Sequence, residues 1–336
     1  MIKMVSAEDI DTRTKILINN REILFEKPLS NASGVHCIYR DDLNELSSCR
    51  STGTFISKSC TLESRKGNPE PRYSSLGVST NSSINSMGLP NMGYEYYYEF
   101  LKSYNNEKPY MISISGLSLN DNITILKKFE KLQIEKMQQE PSINSIIELN
   151  LSCPNVIGKP QIGYDLENLD YYLTEIIKNY SLEFGVKLPP YFDPVHFNYV
   201  ADVINRFNQI KFVTCINSIG NGLHINTETE TVSIKPKCGL GGIGGSVVLP
   251  TALANVHQFY KLLRPNKFVI GCGGIINGET AFQHILAGAS LLQVGTQLYE
   301  EGIPCFKKIH NELLEIMRNK GYTNINQFRG SLKYIE

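Results

Sequence analysis

Short apolar runs that end in small polar residues recur along the chain, and segments with helical spacing of apolar residues lie between or after most of them. Near-continuous apolar runs are typical of parallel strands that are buried on both faces. The predicted strands span residues 28–34, 54–59, 111–116, 145–152, 184–189, 212–218, 268–274 and 291–296. The predicted helices span residues 94–104, 121–136, 166–179, 193–207, 251–263, 278–287 and 304–319, with a weaker one near 41–47. This alternation predicts an α/β protein with a closed (β/α)8 barrel, the TIM barrel, as a single domain over residues 26–336; an open doubly wound sheet is the alternative.

The first 25 residues precede this pattern and are predicted to form an N-terminal extension and a β-hairpin. Residues 15–18 and 21–25 are apolar-rich runs separated by Asn19-Asn20, a pair that suits a two-residue hairpin turn. Such a hairpin either plugs the bottom of the barrel or decorates its edge.

Three connections are long and carry no predicted strand or helix, over residues 60–94, 153–165 and 219–249. Each follows a predicted strand, so all three belong to the carboxyl-end face of the barrel, where the active sites of this fold form. Long loops in compact domains tend to be functional. We therefore expect the site on this face, with the first two connections as candidates for a lid.

The composition argues against several functional classes. The chain has 33 basic and 33 acidic residues and no basic block, which argues against nucleic acid as a partner. No apolar run is long enough for a membrane span, and the N-terminus lacks the apolar core of a signal peptide. The 8 cysteines are scattered without a Cys-x-x-Cys pair, so we predict neither a metal site nor an iron–sulfur cluster. These patterns favour the reducing cytoplasm.

Glycine clusters lie near the ends of the last two predicted strands. They are Gly273-Gly274, Gly295-Thr296 and the run over residues 239–245. In barrels of this kind, the loops after strands seven and eight commonly bind phosphate, and glycine lets backbone N–H groups approach the phosphate oxygens. The alternative is that these glycines only form tight turns. Three clusters in the expected places favour phosphate binding.

Polar side chains at other strand ends are candidates for chemistry. Asn150 and Asn217 lie within apolar strands, where a buried amide needs a partner, and amides suit a ring rich in C=O and N–H groups. Lys187 ends the fifth strand, where a cation would neutralise a reduced cofactor, form a Schiff base or simply reach solvent. Cys153 follows the fourth strand, where a thiolate would be a base or nucleophile; an inert buried thiol is the alternative.

Ten sequence blocks occur in a characteristic order. They are Asn31-Ala-Ser-Gly-Val-His-Cys37, Ser57-Lys-Ser59, Arg65-x-Gly-Asn-Pro-x-Pro-Arg-Tyr73, Asn85-Ser-Met-Gly-Leu-Pro-Asn91, Asn150-Leu-Ser-Cys-Pro-Asn155, Gly185-Val-Lys-Leu-Pro-Pro190, Asn217-Ser-Ile-Gly-Asn-Gly222, the run 239–245, Gly271-Cys-Gly-Gly-Ile275 and Val294-Gly-Thr296. In this order the chain resembles the soluble class 1A dihydroorotate dehydrogenases, flavoenzymes of pyrimidine biosynthesis, over nearly everything after about Phe25. The resemblance does not explain the first 15 or so residues.

The resemblance implies a site across the barrel mouth. FMN would be held by Ala32, Ser33, Lys58, Ser59, Asn150, Lys187, Ser218, Gly245, Gly273, Gly274, Gly295 and Thr296. Dihydroorotate would be bound by Lys58, Asn85, Asn150, Asn155, Asn217 and Ser218, with the backbone of Met87, Gly88 and Leu89 taking its carboxylate. Cys153 would remove a proton from C5 while C6 delivers hydride to the flavin. Fumarate would accept the electrons, and the active protein would be a homodimer.

Three other functions are compatible with parts of this pattern. A class 1B catalytic subunit would pass electrons to NAD through a partner with an iron–sulfur cluster. A barrel aldolase would use Lys187 to form a Schiff base. A flavin-binding barrel without catalysis is the third. The membrane class of dihydroorotate dehydrogenases uses serine as its base, and this chain has Cys153 in that place.

Overall fold

The computed structural model describes residues 10–77, 80–152 and 161–335 of the chain. Its strands are β1 (Thr14–Ile18), β2 (Arg21–Phe25), β3 (Leu29–Asn31), β4 (Phe55–Ile56), β5 (Tyr73–Ser75), β6 (Ser82–Asn85), β7 (Tyr110–Ile114), β8 (Ser145–Asn150), β9 (Phe184–Lys187), β10 (Ile210–Cys215), β11 (Ile219–Leu223), β12 (Ile225–Asn226), β13 (Thr231–Val232), β14 (Leu240–Gly245), β15 (Phe268–Cys272) and β16 (Leu291–Val294). Its α-helices are α1 (Arg40–Ser48), α2 (Tyr94–Ser103), α3 (Leu119–Gln139), α4 (Leu166–Asn179), α5 (Pro194–Arg206), α6 (Leu249–Leu262), α7 (Gly278–Ala287), α8 (Thr296–Glu301) and α9 (Pro304–Lys320).

A parallel barrel forms the centre of the molecule. Its 8 strands follow the order β3-β16-β15-β10-β9-β8-β7-β4, and each overlaps one of the predicted apolar runs, although β7 and β10 begin one and two residues before theirs. Most of their residues are buried, which is why the runs are apolar on both faces of the sheet. The predicted (β/α)8 barrel is confirmed, and the open doubly wound sheet is not what forms.

One side chain joins the first and last strands of this order. Asn31 Nδ2 donates to Ile56 O at 2.9 Å, and Ile56 N donates to Asn31 Oδ1 at 2.9 Å. A buried amide on β3 therefore satisfies both backbone groups of a residue on β4. This closure also brings together the residues that follow the two strands, since Ser33 Oγ lies 3.1 Å from Ser59 Oγ.

Local signals set the helix boundaries. Asp193 caps α5 by accepting from His196 N at 3.0 Å, with Pro194 at the first helical position. Gly321 ends α9 with a φ of 77°, the left-handed conformation that favours glycine. Each of the seven main predicted helices and the weaker first one is present; α8 was not predicted.

The N-terminal hairpin covers the amino ends of the barrel strands. Asn19 and Asn20 have φ values of 53° and 57°, as a two-residue hairpin turn requires. Ile18, Ile23 and Phe25 pack with residues at or near the amino ends of barrel strands; these are Ile56, Met111, Ile146, Phe212, Ile270 and Leu291. The hairpin thus plugs the bottom of the barrel, one of the two predicted placements.

A second, antiparallel sheet stands over the opposite end of the barrel. Its strand order is β11-β14-β6-β5, and β14 pairs with β6. The prediction that residues 60–94 and 219–249 lack regular structure is therefore wrong, since they supply these strands. Four glycines in the six residues of β14 give no alternation of side chains from which a strand could be predicted.

The described residues contain neither a helix suited to crossing a membrane nor a cluster of side chains suited to a metal ion. None of the helices combines the length and apolarity that a membrane crossing requires. In the same part of the chain, no group of three or more His, Cys, Asp or Glu side chains could hold a metal ion.

Candidate functional site

A cleft opens between the carboxyl ends of the barrel strands and the antiparallel sheet above them. It is lined by every predicted site residue that falls in the described ranges: Ala32, Ser33, Lys58, Ser59, Asn85, Met87, Gly88, Leu89, Asn150, Lys187, Asn217, Ser218, Gly245, Gly273, Gly274, Gly295 and Thr296. Residues that are up to 264 positions apart in the chain therefore face one space. Their binding roles stay predictions.

A glycine-lined cradle forms one end of the cleft. Gly273 and Gly274 follow β15 with φ values of 118° and 76°, and Gly245 ends β14 at 87°. A Cβ on Gly244 would approach Thr296 Oγ1 to 3.2 Å, and Thr296 Oγ1 in turn lies 3.0 Å from Ser83 Oγ. At the predicted phosphate site, glycine residues expose backbone N–H groups beside the hydroxyls of Thr296 and Ser83. The third glycine cluster, however, lies on strand β14 and not in a loop. These donors fit a phosphate group.

A buried histidine supports this cradle. His284 Nε2 lies 2.9 Å from Gly273 O, and burial lowers the pKa of His284 to about 4. Because a carbonyl only accepts, Nε2 must carry the proton of a neutral ring. His284 therefore holds the Gly273–Gly274 peptide in one orientation at neutral pH.

Lys187 places a cation in the wall of the cleft. Its Nζ donates to Gln293 Oε1 at 2.9 Å and lies 3.8 Å from Cys272 Sγ. Burial by itself lowers the pKa of Lys187, but Cys272 and Glu148 raise it, and the net pKa is above the ordinary value. The group is therefore an ammonium ion at neutral pH, whereas a Schiff base requires the free amine.

Amide side chains occupy the barrel side of the cleft. Asn150 Nδ2 donates to Ser59 Oγ at 3.2 Å, and Asn217 Nδ2 lies 3.4 Å from Asn150 Oδ1. Asn217 Nδ2 also donates to Ser152 O. These contacts fix the amide planes, so that each amide presents a defined donor or acceptor to the cleft. The buried Lys58 lies beside them, at the end of β4.

The loop over residues 87–89 forms another wall. Gly88 and Leu89 have φ values of 73° and 56°, the left-handed region that a leucine rarely adopts. Asn91 Nδ2 donates to Leu89 O at 2.9 Å, and Asn68 N donates to Met87 O at 2.9 Å. Such strain persists where the surroundings hold it, as they often do at binding sites.

The proposed base lies outside the described residues. Cys153 and Asn155 both fall in the gap between residues 152 and 161. The chain is described as far as Ser152, which is buried and whose N–H donates to Asn150 Oδ1 at 3.0 Å. The roles predicted for these two residues therefore stay predictions.

Several residues of the site were not predicted. Tyr73 and Ser83 reach the cleft on the antiparallel sheet, and Cys272 and Gln297 reach it from the barrel side. The polar residues Glu148 and Gln293, fully buried inside apolar strands, were missed as well. A charged or amide residue in the middle of an apolar run is a signal that was present in the sequence.

Comparison with known proteins extends these findings. The family model described as dihydroorotate dehydrogenase matches residues 16–317. The chain is 49% identical over 321 residues to a "Dihydroorotate dehydrogenase (fumarate)" of Trypanosoma cruzi, covering 95% of this chain and 98% of the relative. It is 50% identical over 315 residues to "Dihydroorotate dehydrogenase A (fumarate)" of Lactococcus lactis, covering 93% and 97%.

A solved structure shows the same architecture. The ligand-free DHODH of Eimeria tenella superimposes with a TM-score of 0.74 at 18% sequence identity, covering 94% of this chain and 91% of that one. At this identity the likeness concerns the fold, and it agrees with the closed barrel described above.

Proposed function

Since the chain belongs to the dihydroorotate dehydrogenase family, we propose that it oxidises dihydroorotate to orotate in pyrimidine (UMP) biosynthesis, with fumarate reduced to succinate. The observation that carries this function is the single cleft that combines a glycine-lined anion cradle, a buried ammonium group and a set of oriented amides. A relative that is 50% identical, with 97% of its length covered, is named "Dihydroorotate dehydrogenase A (fumarate)".

FMN is the proposed cofactor, and the residues present fit it. Its phosphate would lie against Gly245, Gly273, Gly274, Gly295 and Thr296, where an added Cβ at the neighbouring Gly244 would lie only 3.2 Å from the Thr296 hydroxyl. FMN would supply the chemistry that side chains lack, by accepting a hydride from the substrate and returning it to fumarate. Lys187 would hold a positive charge beside the ring, where reduction adds negative charge.

The substrate would be held by amides and a lysine. Asn85, Asn150 and Asn217 offer donors and acceptors to the C=O and N–H groups of the dihydropyrimidine ring. Lys58 and the backbone over residues 87–89 would bind its carboxylate. Cys153 would remove the C5 proton as a thiolate, with Asn155 as a further ring contact.

Fumarate is supported as acceptor over the other possibilities. Relatives at 48–50% identity are named fumarate enzymes. Fumarate, like orotate, is planar with a carboxylate conjugated to C=C, so one site would serve both half-reactions. The raised pKa of Lys187 argues against an aldolase. No observation in the described part of the chain favours an NAD-linked partner subunit.

The assembly and location are proposals as well. We expect a homodimer in the cytoplasm, with residues 26–336 as one FMN-binding barrel domain. The hairpin β12–β13 supports an interface between copies, because Ile225 and Val232 are paired and 54% and 43% exposed. Light scattering that gives the mass of a monomer would contradict the dimer.

The decisive experiment uses the purified protein without oxygen. Dihydroorotate should bleach the bound flavin with formation of one orotate per flavin, and fumarate should restore the colour. NAD should not restore it. A protein that is purified without flavin and takes up none, or that transfers electrons to NAD and not to fumarate, would contradict the proposed function.

A further inference from the structure

A chain of polar side chains crosses the barrel interior below the cleft and is not used by the function proposed above. Glu148 on β8, Thr214 on β10 and Gln293 on β16 are all fully buried. Thr214 Oγ1 donates to Glu148 Oε2 at 2.7 Å, and Gln293 Nε2 donates to the same oxygen at 2.8 Å. Gln293 Oε1 then accepts from Lys187 Nζ at 2.9 Å. The carboxyl group is thus linked to the ammonium group through one amide.

The chemistry of the two ends determines how this amide is oriented. An ammonium group has no acceptor, so Lys187 must face the oxygen of Gln293. The NH₂ group of Gln293 consequently faces Glu148, where it meets an acceptor. Thr214 Oγ1 donates to the same oxygen of Glu148, so both donors meet one acceptor. The orientation of Gln293 is therefore the same whether it is inferred from Lys187 or from Glu148.

Glu148 is also the carboxyl group that balances the charge of Lys187. The thiols of Cys37, Cys215 and Cys272 are further titratable groups that influence Lys187. Burial raises the pKa of each thiol, to about 11 for Cys37, so all three are neutral near pH 7. Lys58, which acts on Cys37, adds a further positive charge on the cleft side.

An uncompensated ammonium group at this depth would be costly. A buried lysine with no anion nearby loses its proton, with a pKa several pH units below its ordinary value. Lys187 is 4% exposed, yet its pKa is raised. Glu148 Oε1 has no hydrogen-bond partner among the described residues, so this carboxyl group is not neutralised by a closer cation there.

We propose that Glu148, acting through Gln293, is a positioning residue that keeps the ammonium group of Lys187 charged and directed into the cleft. The inference deepens the proposed function, because the charge matters to catalysis only where a flavin lies against Lys187. It gives a role to a carboxyl group that lies fully buried inside the barrel.

The test removes the charge and then moves it. Glu148→Gln keeps the shape of the side chain, and Glu22→Gln, at an exposed surface ion pair, is the matched control. The double variant Glu148→Gln with Gln293→Glu returns one carboxyl group to the same path. Gln293→Met breaks the link while Glu148 stays, and it takes the place of the first variant if that one does not fold.

Two measurements report on Lys187 directly. The first is the pH dependence of the reduction potential of the bound flavin in each holoenzyme. The second is the pH dependence of Lys187 acetylation by acetic anhydride, followed by mass spectrometry, which needs no flavin. Glu148→Gln and Gln293→Met should lower the pH of the inflection by about one unit or more, since an opposite charge nearby typically shifts a pKa by 1–3 units. The double variant should restore it, and the control should match the wild-type protein.

The outcomes separate this inference from the proposed function. A wild-type protein without flavin would contradict the proposed function, and the acetylation profiles would still test the role of Glu148. Folded Glu148→Gln and Gln293→Met proteins with the wild-type inflection would overturn the inference. A loss of thermal stability with no change in the inflection would also overturn it, because Glu148 would then be structural only.

Discussion

Replacement of Asn31 by alanine should destabilise the barrel at its point of closure. The Asn31 amide makes two hydrogen bonds of 2.9 Å to the backbone N–H and C=O of Ile56. Ile56 is 0% exposed, and its strand pairs with β7 on the other side, so neither group has a substitute partner in the described structure. Asn31→Ala leaves both groups buried without a partner.

The expected loss follows from the number of orphaned groups. A buried donor or acceptor without a partner costs about 1–3 kcal/mol, so two cost roughly 2–6 kcal/mol in the free energy of unfolding. This is a large part of the roughly 5–15 kcal/mol that stabilises a typical protein. FMN affinity should fall as well, because the closure holds Ser33 against Ser59 at the edge of the cleft.

Urea unfolding followed by circular dichroism measures this loss, with the same excess of FMN added to every variant. Asn144→Ala is the control, since among the described residues the side chain of Asn144 makes an exposed hydrogen bond with Ser142 O and no other. Asn31→Asp should not restore stability, because a carboxylate repels Ile56 O where the amide donated to it. A loss below about 1 kcal/mol in Asn31→Ala would refute the reasoning, since even one unpaired buried group should exceed it.

Three further predictions concern the cleft. Cys153→Ala should retain FMN and lose roughly 10²–10⁴-fold in the rate of flavin reduction by dihydroorotate; a near-normal rate in stopped-flow measurements would exclude Cys153 as the base. Burial lowers the pKa of His284 from 6.5 to about 4 in the folded protein. Below about pH 6.5 the unfolded chain therefore binds a proton on His284 that the folded protein does not. The free energy of unfolding should be highest above pH 6.5 and fall by about 3 kcal/mol by pH 4. The pH dependence of urea unfolding should be shallower in His284→Gln, and an unchanged slope would contradict this. Gly274→Ala, at a φ of 76° and with its Cβ 2.5 Å from Leu249 Cβ, should weaken FMN binding at least tenfold in fluorescence titration, whereas Gly77→Ala, with open space around it, should leave it unchanged.

Most of the barrel could be predicted from local sequence. A strand that is buried on both faces is mostly apolar, so β7, β8 and β9 can be recognised from their own sequences without knowledge of their neighbouring strands. The start of α5 at Asp193-Pro194 and the turn at Asn19-Asn20 depend on neighbouring residues alone. Local patterns placed the glycine clusters, Asn150, Asn217 and Lys187 at the carboxyl-end face, and the resemblance to a known family completed the set of seventeen described residues that line the cleft.

Contacts between distant residues were decided only by the tertiary structure. β14 is a strand because its backbone pairs with β6, and Asn85 Nδ2 reaches Gly242 O across 157 positions of sequence. Its glycines carry no side-chain pattern from which that pairing could be predicted. The path from Glu148 through Gln293 to Lys187 likewise joins three separate strands.

The physical reason for this division is the range of the forces involved. Apolar periodicity, caps and tight turns depend on residues within a few positions, so the sequence specifies them directly. A buried polar residue requires partners, but the sequence does not state which ones. Glu148, Gln293 and Asn31 could be recognised in the sequence as polar residues in apolar strands. Only the closed barrel shows that the first two form a hydrogen-bonded path to Lys187 and that the third joins β3 to β4.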